Sequence, residues 1–310
     1  MKKKISIVTP TYNEQDNIKK LCEDISSQMS QLNYEYEHIV IDNSSEDQTV
    51  QILKDLAIIN LNLKIIINTR NYGHIRSPMH GILQASGDAV ILISSDFQDP
   101  INLIPKYIQE WENGNYVVMG QKNTSEENFL KNFFRKNFYK FITLISENQL
   151  PLNVTGAGLF DKKIIDKLRS ISDPYPYFRG LISEITKDIK LISFHQPIRH
   201  KGKTKNNFFT LYDIGILGII KHSKIPLRVM TFIGFCISIF SFFISLIYLL
   251  YKIIFWDSFE VGIAPLVIGF FFISSIQIFL LGLVGEYAIN ILIQTRNLPL
   301  VVEKERINFS

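Results

Sequence analysis

The chain has 310 residues, 46% apolar and 20% charged, enough for one sizeable folded domain with residues to spare. Its 33 basic and 29 acidic side chains leave a net charge of +4, and no nucleic-acid partner is expected. Two cysteines, Cys22 and Cys236, exclude a disulfide framework and offer no zinc-ligand spacing.

Met1-Lys-Lys-Lys leads straight into a short β-branched run, Ile5–Val8, so no signal peptide is expected. Asn13 can cap a helix whose apolar positions Ile18, Leu21, Cys22, Ile25 and Met29 recur at three- and four-residue spacing. His38–Ile41 reads as a second strand, Thr49–Leu56 as a helix, Lys64–Ile67 as a third strand and Pro78–Ala85 as a further helix. Ala89–Ile93 is a continuous apolar run, as expected of a central strand covered on both faces. Strands alternating with helices predict an α/β domain with a doubly wound, largely parallel sheet. In such sheets ligands bind beyond the carboxyl ends of the strands. The loops expected there are Thr9–Glu14, Asp42–Asp47, Thr69–His74 and Ser94–Pro100. No G-x-G-x-x-G follows the first strand, which argues against a dinucleotide site.

Asn128–Glu147 reads as an amphipathic helix in which Phe133, Phe134, Phe138, Phe141, Ile142 and Ile145 are interleaved with Lys131, Arg135, Lys136 and Lys140. A basic, Phe-rich helix suits an anionic membrane surface; an ordinary helix packed on the sheet has the same pattern. Two long apolar runs follow. One carries no charge between Arg228 and Lys252, about 23 residues and enough to cross a hydrocarbon core. The other carries none from Val261 to Val284. Residues 224–295 are therefore expected to form two transmembrane helices, about 229–252 and 261–290, joined by a short loop holding Asp257 and Glu260. Lys221, Lys224 and Arg228 precede the pair, and Arg296, Lys304 and Arg306 follow it. The positive-inside rule then puts the domain 1–223, the tail 296–310 and both termini in the cytoplasm, in a multi-pass protein of the cytoplasmic membrane.

Ser94-Ser-Asp-Phe-Gln-Asp99 at a strand end offers carboxylate and amide oxygens, a donor set suited to Mg²⁺ or Mn²⁺. Asp99-Pro100 could equally start the next helix, and an isolated loop Asp is often a turn or cap. Asp42 and Asp47 at the neighbouring strand end favour a site.

Pro10-Thr-Tyr-Asn-Glu14, Asp42-Asn-Ser-Ser-Glu-Asp47, Arg70-Asn-Tyr-Gly-His74, Gly87-Asp88 and Ser94-Ser-Asp-Phe-Gln-Asp-Pro100 stand in the order and spacing of family 2 glycosyltransferases. The likeness continues through Phe178-Arg-Gly180, Lys201-Gly-Lys-Thr-Lys205, Ile225-Pro-Leu-Arg228 and Gly285-Glu-Tyr287, covering essentially the whole chain. Most of all the chain resembles the polyprenyl-phosphate glycosyltransferases, which include the GtrB-type bacterial enzymes and the dolichol-phosphate mannose synthases.

The resemblance implies a cytoplasmic GT-A domain and an inverting hexosyltransferase. It would move a sugar, glucose foremost, from a UDP-sugar donor to polyprenyl (undecaprenyl) phosphate, for cell-envelope glycan modification. Pro10, Thr11, Tyr12, Glu14, Asp42, Ser94, Ser95 and Lys203 would line the nucleotide-sugar, with Asp42 accepting the uracil N–H. Asp96, Asp99 and Arg179 would carry the catalysis. Asp96 and Gln98 would hold a Mg²⁺ or Mn²⁺ cofactor, and Lys122, Lys131 and Arg135 the lipid phosphate. The loop Arg199–Lys205 either closes over the donor or is simply solvated. Partners would be the donor, the lipid and the bilayer, with a homo-oligomer left open.

Three departures accompany the likeness. Ser94 stands where the family has the first Asp of Asp-x-Asp, Asn43-Ser44 replaces Asp-Gly, and Asn153, Gly156 and Gly158 lie where acidic residues and an arginine are usual. Each removes charge, which implies weaker metal binding, a diphosphate held more by Lys and Arg, or an atypical sugar. Two other readings compete: a transferase that extends a glycan on a lipid diphosphate, and a non-catalytic membrane scaffold that binds nucleotide-sugars.

Overall fold

The computed structural model describes residues 2–122, 154–197, 225–255, 263–296 and 298–309. The expected helix 128–147 with Lys131 and Arg135, Asn153, the loop 199–205 with Lys203, and the connection between the two apolar runs lie outside the described residues.

The strands among the described residues are β1 (Lys4–Thr11), β2 (Glu35–Asp42), β3 (Leu63–Asn68), β4 (Ala89–Leu92), β5 (Val117–Lys122), β6 (Val154–Asp161), β7 (Lys190–Phe194) and β8 (Glu303–Ile307). They form one sheet in the order β7-β5-β6-β4-β1-β2-β3-β8. The centre, β3-β2-β1-β4, is parallel, while β6 runs antiparallel to both β4 and β5. The helices of this domain are α1 (Ile18–Ser30), α2 (Thr49–Ile59), α3 (Gly73–Gln84), α4 (Ile104–Glu112), α5 (Lys162–Arg169) and α6 (Phe178–Ile185). Side chains alternate across the strands, so two cores result. Ile65 and Ile67 pack with α1, α2 and α4, whereas Ile66 packs with α3, α5 and α6. The buried face of α1 is Ile18, Leu21, Cys22, Ile25 and Met29, as its spacing predicts.

The boundaries differ from the sequence expectation for local reasons. β1 runs through Pro10 to Thr11. The Val8 carbonyl faces β4 and that of Thr11 faces β2, so Pro10 faces β4, beyond the last β1–β4 pair, Val8 with Leu92. Its missing N–H therefore costs no ladder bond. α3 begins at Gly73 and carries Pro78 inside it, instead of starting at Pro78. The Asn71 side chain accepts from the Gly73 N–H at 2.8 Å, and this turn, not the proline, opens the helix.

Beyond the sheet, α7 (Ile225–Ile254) and α8 (Ile263–Thr295) cover the two apolar runs. The 20-residue stretch Ile276–Thr295 is long and apolar enough to cross a membrane, and none of it is buried. In α7 the described apolar stretch is Arg228–Ile237. Phe232 at 68% and Leu281 at 72% exposure typify the bare apolar surface of both helices. The segment after α8 is no free tail. β8 pairs antiparallel with β3, and Asn308 donates to the Ala57 and Leu63 carbonyls, both at 2.9 Å.

Candidate active site

Parallel register brings the strand ends level: Thr11 lies opposite Asp42, Asp42 opposite Ile67 and Val8 opposite Leu92. The loops beyond them are knitted by side chains. Asn13, at φ 55°, donates its N–H to Ser45 Oγ and accepts from the Glu46 N–H, both at 2.8 Å. The Ser45 hydroxyl and N–H in turn donate to the two oxygens of Asp42, the latter at 2.8 Å.

Asp42 is fully buried, and burial raises its carboxyl above the usual range against the hydrogen bonds from Ser45 that lower it. In this arrangement the carboxylate serves its own loop. Each carboxylate oxygen accepts one bond from Ser45, and a carboxylate has about four lone-pair sites, so it keeps the capacity to accept a further N–H. Asp47 is also used locally, accepting from the Gln15 N–H at 3.2 Å and the Thr49 N–H at 2.9 Å. Glu14 accepts from Asn17 Nδ2 at 2.7 Å where α1 begins. Tyr12 is half-buried beside it. The buried Thr11 hydroxyl has no hydrogen-bond partner among the described residues, which marks the end of β1 as a place where a ligand could supply one.

Asn43 is the residue that the sequence reading undervalued. Its Oδ1 accepts from the Tyr72 N–H at 2.8 Å and from Asn68 Nδ2 at 3.1 Å. Its Nδ2 donates to Asn71 Oδ1 at 2.8 Å and to the Gly73 carbonyl at 3.2 Å. A backbone N–H can only donate, so the amide orientation is fixed. An aspartate could accept the first two bonds but donate neither of the others. Asn43 thus ties the β2 loop to the β3 loop and is more than a carboxylate lost.

At the end of β4 the Ser94 hydroxyl donates to Asp99 Oδ2, and the Ser94 N–H approaches the same oxygen at 3.4 Å. Asp96 Oδ1 accepts from the Gln98 N–H at 3.2 Å across Phe97, which sits at φ 59°. Ser95, Asp96 and Asp99 are all buried. Behind them the buried Tyr107 hydroxyl has no partner among the described residues; burial first, and then the charge of Asp99, push its phenol well above the usual range. Among the described residues no three His, Cys, Asp or Glu side chains come together as metal ligands; Asp96 and Gln98 lie side by side in this loop.

Arg179, near the start of α6, donates to the Val154 carbonyl at 2.9 Å. The β4–β6 register, Leu92 with Gly158, carries Gly156 to the level of Ser94. A Cβ at Gly156, whose φ is +94°, would meet only Arg179 Nε, at 3.8 Å. An acidic side chain at that position would face the guanidinium. His74 keeps an edge open to solvent, yet its packing, and then the nearby Arg179 charge, disfavour its protonated form. Gly158 is different: a Cβ there would lie 2.3 Å from the Val118 carbonyl oxygen, so this backbone path excludes any larger residue. Lys122, at the end of β5, donates to Gln196 Oε1 at 3.2 Å. The structure thus gathers Pro10–Glu14, Asp42–Asp47 and Asn68–His74 through side-chain bonds, and sets Ser94–Asp99 and Arg179 at the adjoining strand ends.

Residues 6–169 match the profile of Glycosyl transferase family 2. The chain belongs to glycosyl transferase family 2. The uncharacterized glycosyltransferase sll0501 of Synechocystis sp. is 31% identical over 91% of this chain and 89% of its own length. A SfII prophage-derived bactoprenol glucosyl transferase of Shigella flexneri is 28% identical over 97% of this chain and 98% of its own. Among solved structures, glucosyl-3-phosphoglycerate synthase from Mycobacterium tuberculosis, in complex with Mn²⁺, UDP and glucosyl-3-phosphoglycerate, superposes with a TM-score of 0.53. It is 16% identical and covers 70% of this chain and 78% of that one. Mannosyl-3-phosphoglycerate synthase from Rubrobacter xylanophilus gives 0.52 at 15% identity, over 75% of each chain. This family 2 transferase therefore has a GT-A type sheet domain, as its sequence predicts.

Proposed function

We propose that this family 2 transferase moves a hexose, glucose foremost, from a UDP-sugar to polyprenyl phosphate with inversion, at the cytoplasmic face of the membrane. The observation that carries this reading is near-full-length similarity to relatives named bactoprenol glucosyl transferases, in a chain whose exposed apolar α8 follows the catalytic fold. Both apolar helices would span, with the sheet domain and both termini in the cytoplasm.

In this reading Thr11, Tyr12 and Glu14 hold the base and ribose, and Asp42 accepts the uracil N–H. Lys203 closes over the diphosphate, and Lys122, Lys131 and Arg135 hold the acceptor phosphate. Asp96 and Gln98 fit a Mg²⁺ or Mn²⁺ ion: hard oxygen donors, few enough that substrate phosphates complete the shell. When bound, that ion would neutralise charge on the diphosphate leaving group. Asp99, anchored by Ser94, shapes the loop that presents Asp96. Arg179, lacking an acid at Gly156, is left to stabilise negative charge as the sugar departs. The acceptor is already anionic at neutral pH, so the chain's main task is positioning and charge stabilisation rather than proton removal.

Membranes holding the chain, given radiolabelled UDP-glucose and undecaprenyl phosphate, should yield chloroform-soluble label. Asp96→Ala should abolish it with expression and membrane insertion unchanged. No label from any UDP-sugar would favour the scaffold reading, and full activity in excess chelator would remove the metal from the account.

A further inference from the structure

Arg70 and Arg76 gather on one aromatic ring, their guanidinium carbons 4.4 and 5.1 Å from the centre of Tyr72. Among the described residues no carboxylate lies within ion-pair distance of either. Burial, and then the charge of Arg70, lower the Arg76 pKa, as expected of two cations gathered on one ring. The Arg76 Nε–H is buried without a hydrogen-bond partner among the described residues, while its Nη2 donates to the Pro299 carbonyl. Two guanidinium groups on one ring, with no ion-paired carboxylate among the described residues and an unused donor, make a seat for an anion.

Its position says which anion. The apolar stretch of α8 ends at Thr295, and Arg296 follows. From Arg296 to Pro299 is three residues, at most about 11 Å of chain. Leu298 between them is 46% exposed. The cluster is also fixed to that exit: the Tyr72 hydroxyl meets Thr69 Oγ1 at 3.1 Å, and Thr69 bonds the Val302 carbonyl through its N–H at 2.9 Å and its hydroxyl at 3.0 Å.

We propose that Arg70 and Arg76, with Arg296 nearby, form a cationic seat for a lipid-borne phosphate where α8 enters the sheet domain. The inference rests on α8 spanning the membrane. A phosphate at a low-dielectric boundary depends on close cations far more than one in bulk water does. Two sources share that chemistry, an anionic phospholipid of the leaflet and the polyprenyl phosphate acceptor itself.

The test titrates detergent-solubilised, full-length protein with short-chain phosphatidylglycerol, with undecaprenyl phosphate, and with phosphatidylcholine as the net-neutral control, reading lipid adducts by native mass spectrometry. UDP affinity is read in parallel by calorimetry. Arg70→Gln at an exposed site and the double variant with Arg76→Gln should cut binding of at least one anionic lipid, by about tenfold for the double variant. Melting temperature should hold for Arg70→Gln, and Arg76→Lys should retain lipid binding. A loss confined to phosphatidylglycerol identifies a resident phospholipid, and one confined to undecaprenyl phosphate identifies the acceptor. Anionic lipid binding unchanged in the variants, or lost in parallel with UDP affinity, overturns the proposal. Release of the wild-type chain from membranes by alkaline carbonate would instead overturn the spanning of α8 and the seat with it.

Discussion

Ser94 shows what a single residue's partners add to its type. A serine in place of a carboxylate reads as a weakened metal site, and in the fold its hydroxyl also holds Asp99. Restoring an acid there should do harm, because Ser94→Asp removes that donor and sets two buried carboxylates against each other. If the proposed transfer is its activity, turnover should fall about tenfold or more with no easing of the Mg²⁺ requirement, measured by metal-titrated transfer assays. Full turnover at lower Mg²⁺ would contradict the anchoring role. Asn43 teaches the same lesson, since nothing in a one-dimensional motif shows that an amide must donate to Asn71 and Gly73 while accepting from Tyr72. Asp42 adds a pH signature. Its carboxyl lies above the ordinary value of 3.8, so the folded chain keeps the proton to higher pH than a solvated aspartate would. The ionised acceptor is lost as pH falls through that raised value. Donor kcat/KM should therefore show an acid limb with a midpoint above 3.8, and Asp42→Asn should remove the limb and raise donor KM. A flat acid profile in the wild type would leave Asp42 as a loop anchor only.

At the level of elements, the alternation of strand and helix was plain because its cause is local: β-branched runs ended by polar loops, and apolar residues at helical spacing. β8 escaped notice because Glu303-Lys-Glu-Arg-Ile307 is mostly charged. Charge suits an edge strand that must not recruit another chain, and it also disguises the strand. The opposite ends of β1, β2 and β3 carry their own device. Glu37 is buried and accepts from Lys4 Nζ at 3.0 Å, Ser6 Oγ at 2.6 Å and the Ser86 N–H at 2.7 Å, with Lys64 Nζ at 2.9 Å. Burial alone would raise its pKa, but hydrogen bonds, that from Lys64 foremost, hold it at about 2. His38, buried against Thr9, is pushed down to about 3 by burial. The signs agree. A neutral buried histidine loses stability for the fold as pH drops below 6.5 towards 3, and a depressed carboxylate loses its share from 4.5 towards 2. Melting temperature should thus begin to fall below pH 6.5 and steepen below 4.5. Glu37→Gln should lower stability by about 2 kcal/mol near neutral pH and flatten the lower part of that curve. An unchanged curve would show that these lysines and serines are satisfied by water instead.

At the scale of the whole molecule, the chain joins a GT-A sheet domain to long helices whose large apolar side chains stand exposed. The two long apolar helices were legible because the length of an uncharged run is plain in the sequence. Less legible was how the parts meet. β8 returns from α8 to pair with β3, the strand next to that of Asp42, so the segment after α8 and the loops of the candidate site share a framework. Such contacts join residues more than 200 positions apart, and no local pattern announces them. The claim on which the account turns is that a soluble nucleotide-sugar and a membrane lipid meet at this framework. The most direct measurement is the mass of the lipid product formed by purified chain from UDP-glucose and undecaprenyl phosphate. The account predicts a single species heavier than the acceptor by one hexose residue and still bearing one phosphate. A product carrying a diphosphate, or unaltered undecaprenyl phosphate under every UDP-sugar tried, would contradict it.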